Sequence, residues 1–168
     1  QAVLATKAQA WVLRTTWVFA AHGANFLKTM LRLGQERDAL SVVNDQIGAP
    51  TSAGWIAEVT VRLIEAESAP ATGIYHLAAA GSTHWQGYAQ FVLSEAQRLG
   101  VSLKVHSEQV AGIPSSAYPT PAQRPMNSRL NSDALMGALG LSAPDWRTDV
   151  AQVTAELVGQ AKSSSKGV

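Results

Sequence analysis

Cysteine is absent from the sequence. Disulfides, thiolate nucleophiles and cysteine-ligated zinc are thereby excluded, and the composition fits a cytoplasmic chain. Charge is also scarce. Asp, Glu, Lys and Arg make up 15% of the residues and the formal net charge is +1, which gives no electrostatic basis for binding nucleic acid or an anionic membrane. No run approaches the ~18 apolar residues of a membrane-crossing helix. The histidines (His22, His76, His84 and His106) are scattered and lack the spacing of a metal site. No two carboxylates lie close enough in sequence to argue for acid–base catalysis. Glycine-rich turns of the G-x-G-x-x-G kind, which let backbone approach a pyrophosphate, are missing. So are the P-loop, the G-x-S-x-G elbow and the H-E-x-x-H helix. The chain opens on Gln1, without Met and without a basic segment leading into an apolar run. The expectation is a processed, cleaved or truncated chain rather than a signal peptide.

Apolar residues are plentiful, at 46% of 168, enough for one packed domain or a large piece of one. Residues 1–9 read as the end of a helix, and Ala10 to Phe19, rich in Trp, Val, Leu and Thr, reads as a strand. After the turn at His22-Gly23-Ala24, Asn25 caps a helix to about Arg37, with Phe26, Met30 and Leu33 near helical spacing. Leu40–Val43 reads as a short buried strand, Gly48–Thr51 as a loop, and Ser52 to about Glu67 as a second helix. Gly73–Leu77 is a further strand. Ser82 or Thr83 caps a helix to about Leu99, ended by Gly100. Val101–Val105 and Val110–Ile113 read as extended. The segment from Ser115 to Ser128, stiffened by Pro119, Pro121 and Pro125, cannot be a regular helix and reads as a long loop. Ser132 starts a short helix that Gly140 stops, and Pro144-Asp145-Trp146 opens a last helix to about Gln160. Strands alternating with helices predict an α/β fold. Trp55, Trp85 and Trp146 read as helix-face core residues.

Three segments carry chemistry, each with a second reading. Leu13 to Phe19 is an apolar strand turning polar and aromatic at its carboxyl end, where ligands sit in open α/β sheets; it equally fits a core strand with a structural Trp. In Val42 to Thr51 a strand runs into Asn44-Asp45-Gln46 and then a Gly-Pro turn. Such side chains can hydrogen-bond a base or sugar, and they also serve ordinary turns. Tyr118 to Arg129 places Arg124 and Arg129 in a proline-stiffened loop. Stiffness lowers the cost of holding a guanidinium toward a phosphate, although a surface loop has the same composition.

Together, the runs Arg14–Phe19, Asn25–Leu33, Val42–Thr51, Gly73–Leu77 and Tyr118–Leu130 resemble, in order and spacing, the dTDP-4-dehydrorhamnose reductases. These are extended short-chain dehydrogenase/reductases. The signatures are Asn-Asp-Gln-x-Gly-x-Pro-Thr and Tyr-Pro-Thr-Pro-Ala-x-Arg-Pro-x-Asn-Ser-Arg-Leu. The resemblance covers residues 1–160 and implies the C-terminal, substrate-binding part of such an enzyme: the last Rossmann strands plus a small α/β region. Residues 161–168 read as a flexible tail. The family reduces dTDP-4-dehydro-6-deoxy-L-mannose to dTDP-L-rhamnose with NADPH or NADH, a step in polysaccharide biosynthesis.

In the family a glycine-rich cofactor loop and a Tyr-x-x-x-Lys pair lie upstream of the segment that begins here. Gln1-Ala2-Val3 looks like the helix following that pair, and Lys7 has Val3, not Tyr, four residues before it. The resemblance therefore implies no catalytic residue in this chain, a cofactor site mostly outside it, and no catalysis by it alone. It places Trp17 beside the deoxysugar, Asn25 and Phe26 against the sugar nucleotide and Gln46 near the thymidine. Arg124 would lie on the pyrophosphate with Tyr118 and Arg129 nearby, and Thr15 and Thr16 on the nicotinamide side. No metal, nucleic acid or membrane is implied. The partner is a dTDP-sugar, and a homodimer is one way to cover the apolar faces of such a piece. Two other readings stay open: a non-catalytic nucleotide- or partner-binding subunit of the same fold family, and a reductase of another 4-keto sugar.

Overall fold

The computed structural model describes residues 2–5, 8–122 and 124–165. Strands β1 (Trp11–Arg14), β2 (Val18–Phe19), β3 (Ser41–Val43), β4 (Ile47–Gly48), β5 (Thr51–Ser52), β6 (Gly73–His76), β7 (Thr83–His84) and β8 (Ala111–Ile113) alternate with helices. These are α1 (Phe26–Glu36), α2 (Ala53–Glu65), α3 (Trp85–Arg98), α4 (Asp133–Leu139) and α5 (Trp146–Ser165). β1 pairs with β6, β2 with β5 and β3 with β8, all parallel, while β4 pairs antiparallel with β7. The predicted α/β class is what the chain forms.

The single strand expected over Ala10–Phe19 is two strands. Trp17 adopts φ 47, a left-handed conformation costly for a bulky residue. The chain turns there and changes sheet, so β1 and β2 find different partners. Val101–Val105 forms no strand. Its backbone instead closes on α1, where Lys104 N–H and Val105 N–H both donate to the Gly34 carbonyl at 2.9 and 3.1 Å. The start of the chain is a short 3-10 turn, Val3–Ala5, with Gln1 and Lys7 outside the described residues. α5 runs to Ser165, past the expected end near Gln160.

Caps fix where the helices begin. The Asn25 carboxamide oxygen accepts from Lys28 N–H at 3.1 Å and its Nδ2 donates to the Ala20 carbonyl at 2.7 Å. Ser52 Oγ accepts from Trp55 N–H at 3.0 Å and donates to the Asp149 carboxylate of α5. α3 is capped by neither Ser82 nor Thr83. The cap is His84, whose Nδ1 accepts from Gly87 N–H at 3.0 Å. Gly140, at φ 63, closes α4 in the left-handed conformation that glycine adopts without strain.

Two apolar clusters hold these elements. The larger joins Phe19, Leu27, Met30, Val92, Leu93, Trp146 and Val150 between α1, α3 and α5. The smaller joins Val59, Leu63, Leu77, Leu135 and Met136 against the Leu13 and Tyr75 face of β1 and β6. Each fully buried Leu or Val contributes about 1.5–3 kcal/mol relative to exposure. α1 and α3 approach closely because Gly34 has no side chain; a Cβ there would lie 2.5 Å from Leu93 Cδ2. Val61 and Ile64 on α2 and Ile74 on β6 remain exposed. Among the described residues no helix is long and apolar enough to cross a membrane.

Candidate functional site

The left-handed turn at Trp17 aims its indole across the molecule. The ring stacks on Trp85, the first residue of α3, with centroids 3.7 Å apart and planes 16° from parallel. Trp85 Nε1–H donates to Gln46 Oε1 at 3.2 Å. Phe26 leans on the same indole at 4.7 Å and on Tyr88 at 5.1 Å. Gly48 completes the arrangement: a Cβ would fall 2.6 Å from Trp17 Cε2, so only glycine lets β4 lie flat against the ring. Trp17, Phe26, Gln46 and Trp85 are all half-buried. Half-exposed indole edges with an amide beside them suit a flat, partly polar ligand such as a base or sugar. Behind them Tyr88 is fully buried, and its hydroxyl has no hydrogen-bond partner among the described residues; burial pushes its phenol above the ordinary range.

The proline-rich loop is tied to the strand that carries Gln46. At its start the Asp45 carboxylate accepts from Ser115 N–H at 3.0 and 2.9 Å and from Ser115 Oγ at 3.0 Å. At its end Ile47 N–H donates to the Met126 carbonyl at 2.8 Å and Ser128 N–H to the Ile47 carbonyl at 2.7 Å. Tyr118 and Arg124 lie exposed on the arc between. Arg129, also exposed, donates through Nε to Asn127 Oδ1 at 3.1 Å. It lines an open cleft of about 730 Å³ with Ala78–Gly81, Asn131, Ser132 and Met136.

Of the residues expected in the site, Trp17, Phe26 and Gln46 therefore meet, and they meet through Trp85, read from sequence as core. Asn25 is adjacent; its oxygen caps α1 and its Nδ2 donates to the Ala20 carbonyl. Tyr118, Arg124 and Arg129 form a second group on the loop. Thr15 and Thr16 sit at the carboxyl end of β1, the first exposed and the second buried. A nicotinamide dinucleotide does not fit the described residues as a whole. None of the helix starts at α1, α2 and α3 presents a glycine-rich turn. Each has an amide of its first turn taken by a side-chain cap, from Asn25, Ser52 and His84. Among the described residues no group of three or more metal-ligating side chains is assembled.

Solved structures share this fold. The dTDP-4-dehydrorhamnose reductase of Bacillus anthracis in complex with NADP superposes with a TM-score of 0.75 at 31% identity, over 87% of this chain and 48% of that one. A UDP-glucuronic acid 4-epimerase of Bacillus cereus shares the fold alone, with a TM-score of 0.66 at 11% identity over 91% of this chain and 46% of that one. The fold is that of the C-terminal part of an extended short-chain dehydrogenase/reductase.

In sequence, the chain is 45% identical over 148 residues to a dTDP-4-dehydrorhamnose reductase of Shigella flexneri, a match covering 87% of this chain and 49% of that protein. It is 44% identical to one of Escherichia coli strain K12 over the same shares. The chain thus spans about half the length of the curated relatives it matches. The family model of the RmlD substrate binding domain matches residues 1–158, and the chain belongs to that family.

Proposed function

We propose that this chain is the sugar-nucleotide-binding part of a dTDP-4-dehydrorhamnose reductase, and that the whole enzyme reduces dTDP-4-dehydro-6-deoxy-L-mannose to dTDP-L-rhamnose with NADPH or NADH in the cytoplasm. The observation that carries this is the Trp17–Trp85 stack held by Gln46, at the feet of an arginine-bearing loop, in a chain of the RmlD substrate binding domain family.

In this reading the chain binds and orients. Trp17 offers its exposed indole edge to the deoxysugar, and Phe26 backs its stacking partner Trp85. Gln46 faces the thymidine. Arg124, exposed on the loop, meets the diphosphate, which a guanidinium fork matches in geometry and charge; Tyr118 and Arg129 flank it. The stacked indoles exclude water from one side of the sugar, which strengthens every polar contact made there. Thr15 and Thr16, at the carboxyl end of β1, face the side where a nicotinamide would donate hydride when bound elsewhere in the enzyme. No described residue of this chain serves as proton donor to the ketone, so the chain alone binds without turnover.

An NADPH-consumption assay with dTDP-4-dehydro-6-deoxy-L-mannose tests the reading. The longer enzyme containing this chain should consume NADPH, and the chain by itself should not. No consumption above background by the longer enzyme overturns the proposal.

A further inference from the structure

The arginine loop leaves the core beside one residue and returns beside its near neighbour. Asp45 holds the departing end through Ser115, 70 positions away, by three contacts of 2.9–3.0 Å. Ile47 holds the returning end through Met126 and Ser128. The residue between them, Gln46, carries the indole pair. The described residues of this segment, 114–122 and 124–128, thus leave and return on either side of Gln46, with Tyr118 and Arg124 exposed between the two feet. The returning foot is a pair of backbone bonds that any residue but proline at 47 could make. The departing foot has one backbone bond, from Asn44 N–H to the Ile113 carbonyl at 3.0 Å, and beyond Ile113 it is held by the Asp45 carboxylate. A backbone N–H and a hydroxyl donating to the same half-buried carboxylate are charge-assisted bonds, about twice as strong as neutral ones.

We propose that Asp45 is a positioning residue of the site: by holding Ser115 it fixes the loop that carries Arg124 in register with the Trp17–Trp85 stack, without touching the ligand itself. This rests on the reading of the site as one for a thymidine diphosphate sugar. Arg124 makes no ion pair among the described residues, so its placement rests on the loop's backbone. With the departing foot released, the loop samples many conformations, and apparent affinity falls by the fraction that remains competent. A loop in place about a tenth of the time gives about a tenfold loss. The loss falls on the diphosphate and spares the nucleoside, which Gln46 holds.

Titration calorimetry of thymidine diphosphate and of thymidine into the wild-type chain, Asp45→Ala, Arg124→Ala and the double variant tests this. The expected result is an approximately tenfold loss of diphosphate affinity in each single variant, a less than twofold change for thymidine, and a double variant no weaker than Arg124→Ala. Equal losses for both ligands, additive losses in the double variant, or no loss in either single variant overturns the assignment. Failure of the wild-type chain to bind thymidine diphosphate overturns the site reading as well, whereas wild-type binding with an unaffected Asp45→Ala overturns the positioning role alone. If Asp45→Ala does not fold, Ser115→Pro, which removes both donors from the loop side, carries the same comparison. Failure of both to fold makes Asp45 a folding residue and also overturns it.

Discussion

Gly48 is the position where one methyl group should reach the site without touching ligand. Its Cβ would sit 2.6, 2.8 and 2.9 Å from Cε2, Cζ2 and Nε1 of Trp17, whereas carbon atoms rest at about 3.5–4.0 Å. The overlap of roughly 1 Å cannot be relieved by a small rotation, because the far face of that indole is stacked on Trp85 at 3.7 Å. Gly48 does not adopt a positive φ, so alanine meets no backbone penalty and the effect isolates the steric term. Overpacking of this kind costs about 1–3 kcal/mol, or a drop of about 2–12 °C in Tm for a chain of this size. Two assays read the consequence: near-ultraviolet circular dichroism, where a close indole pair gives a coupled signal, and calorimetric titration with thymidine diphosphate. Gly48→Ala should weaken the coupled signal and the affinity together. An unchanged spectrum and unchanged affinity would refute the packing described for the site.

Three further substitutions separate scaffold from site. Asn25→Ala should lower stability by about 0.5–2 kcal/mol through loss of the α1 cap, measured by urea denaturation, with thymidine diphosphate affinity unchanged because both ends of that side chain are already engaged. Tyr88→Phe removes a buried hydroxyl with no partner among the described residues, so stability should hold or rise by up to about 1 kcal/mol; a loss in thermal unfolding would show that the hydroxyl is satisfied. Gly159→Ala, in the middle of α5 with nothing within 4 Å of the added carbon, should stabilise by about 0.4–1 kcal/mol, a rise in Tm that serves as the control for Gly48→Ala.

Local chemistry was legible in the sequence and long-range contact was not. The cap Asn25 and the stop at Gly140 are side-chain and φ preferences acting within a few residues, and the structure uses both. The α3 cap was misplaced because hydroxyls at Ser82 and Thr83 outrank imidazole in propensity, yet His84 has the nitrogen in reach. Ala10–Phe19 read as one strand because nothing in its composition signals a left-handed tryptophan; that conformation is held by partners at Gly48 and Trp85. Val101–Val105 is extended in composition, but its amides answer a glycine carbonyl in α1.

The same division runs through the site. Trp17 and Gln46 are marked by their place after apolar strands and Phe26 by resemblance, and the three converge. Trp85 was read as core because an indole on a helix face looks the same in sequence whether it packs inward or forms half of a stack. The loop's composition announced Arg124 and Arg129, while its closure on Asp45 and Ile47 joins residues some 70 positions apart and leaves no periodic trace.

The most direct test of the central claim is to follow the indole N–H signals of the tryptophans by nuclear magnetic resonance while dTDP-L-rhamnose is added to the chain. Trp17 and Trp85 should shift and saturate together, with Trp55 and Trp146, which pack in the two apolar clusters, holding still. No movement at Trp17 and Trp85, or movement confined to Trp55 and Trp146, would contradict the account.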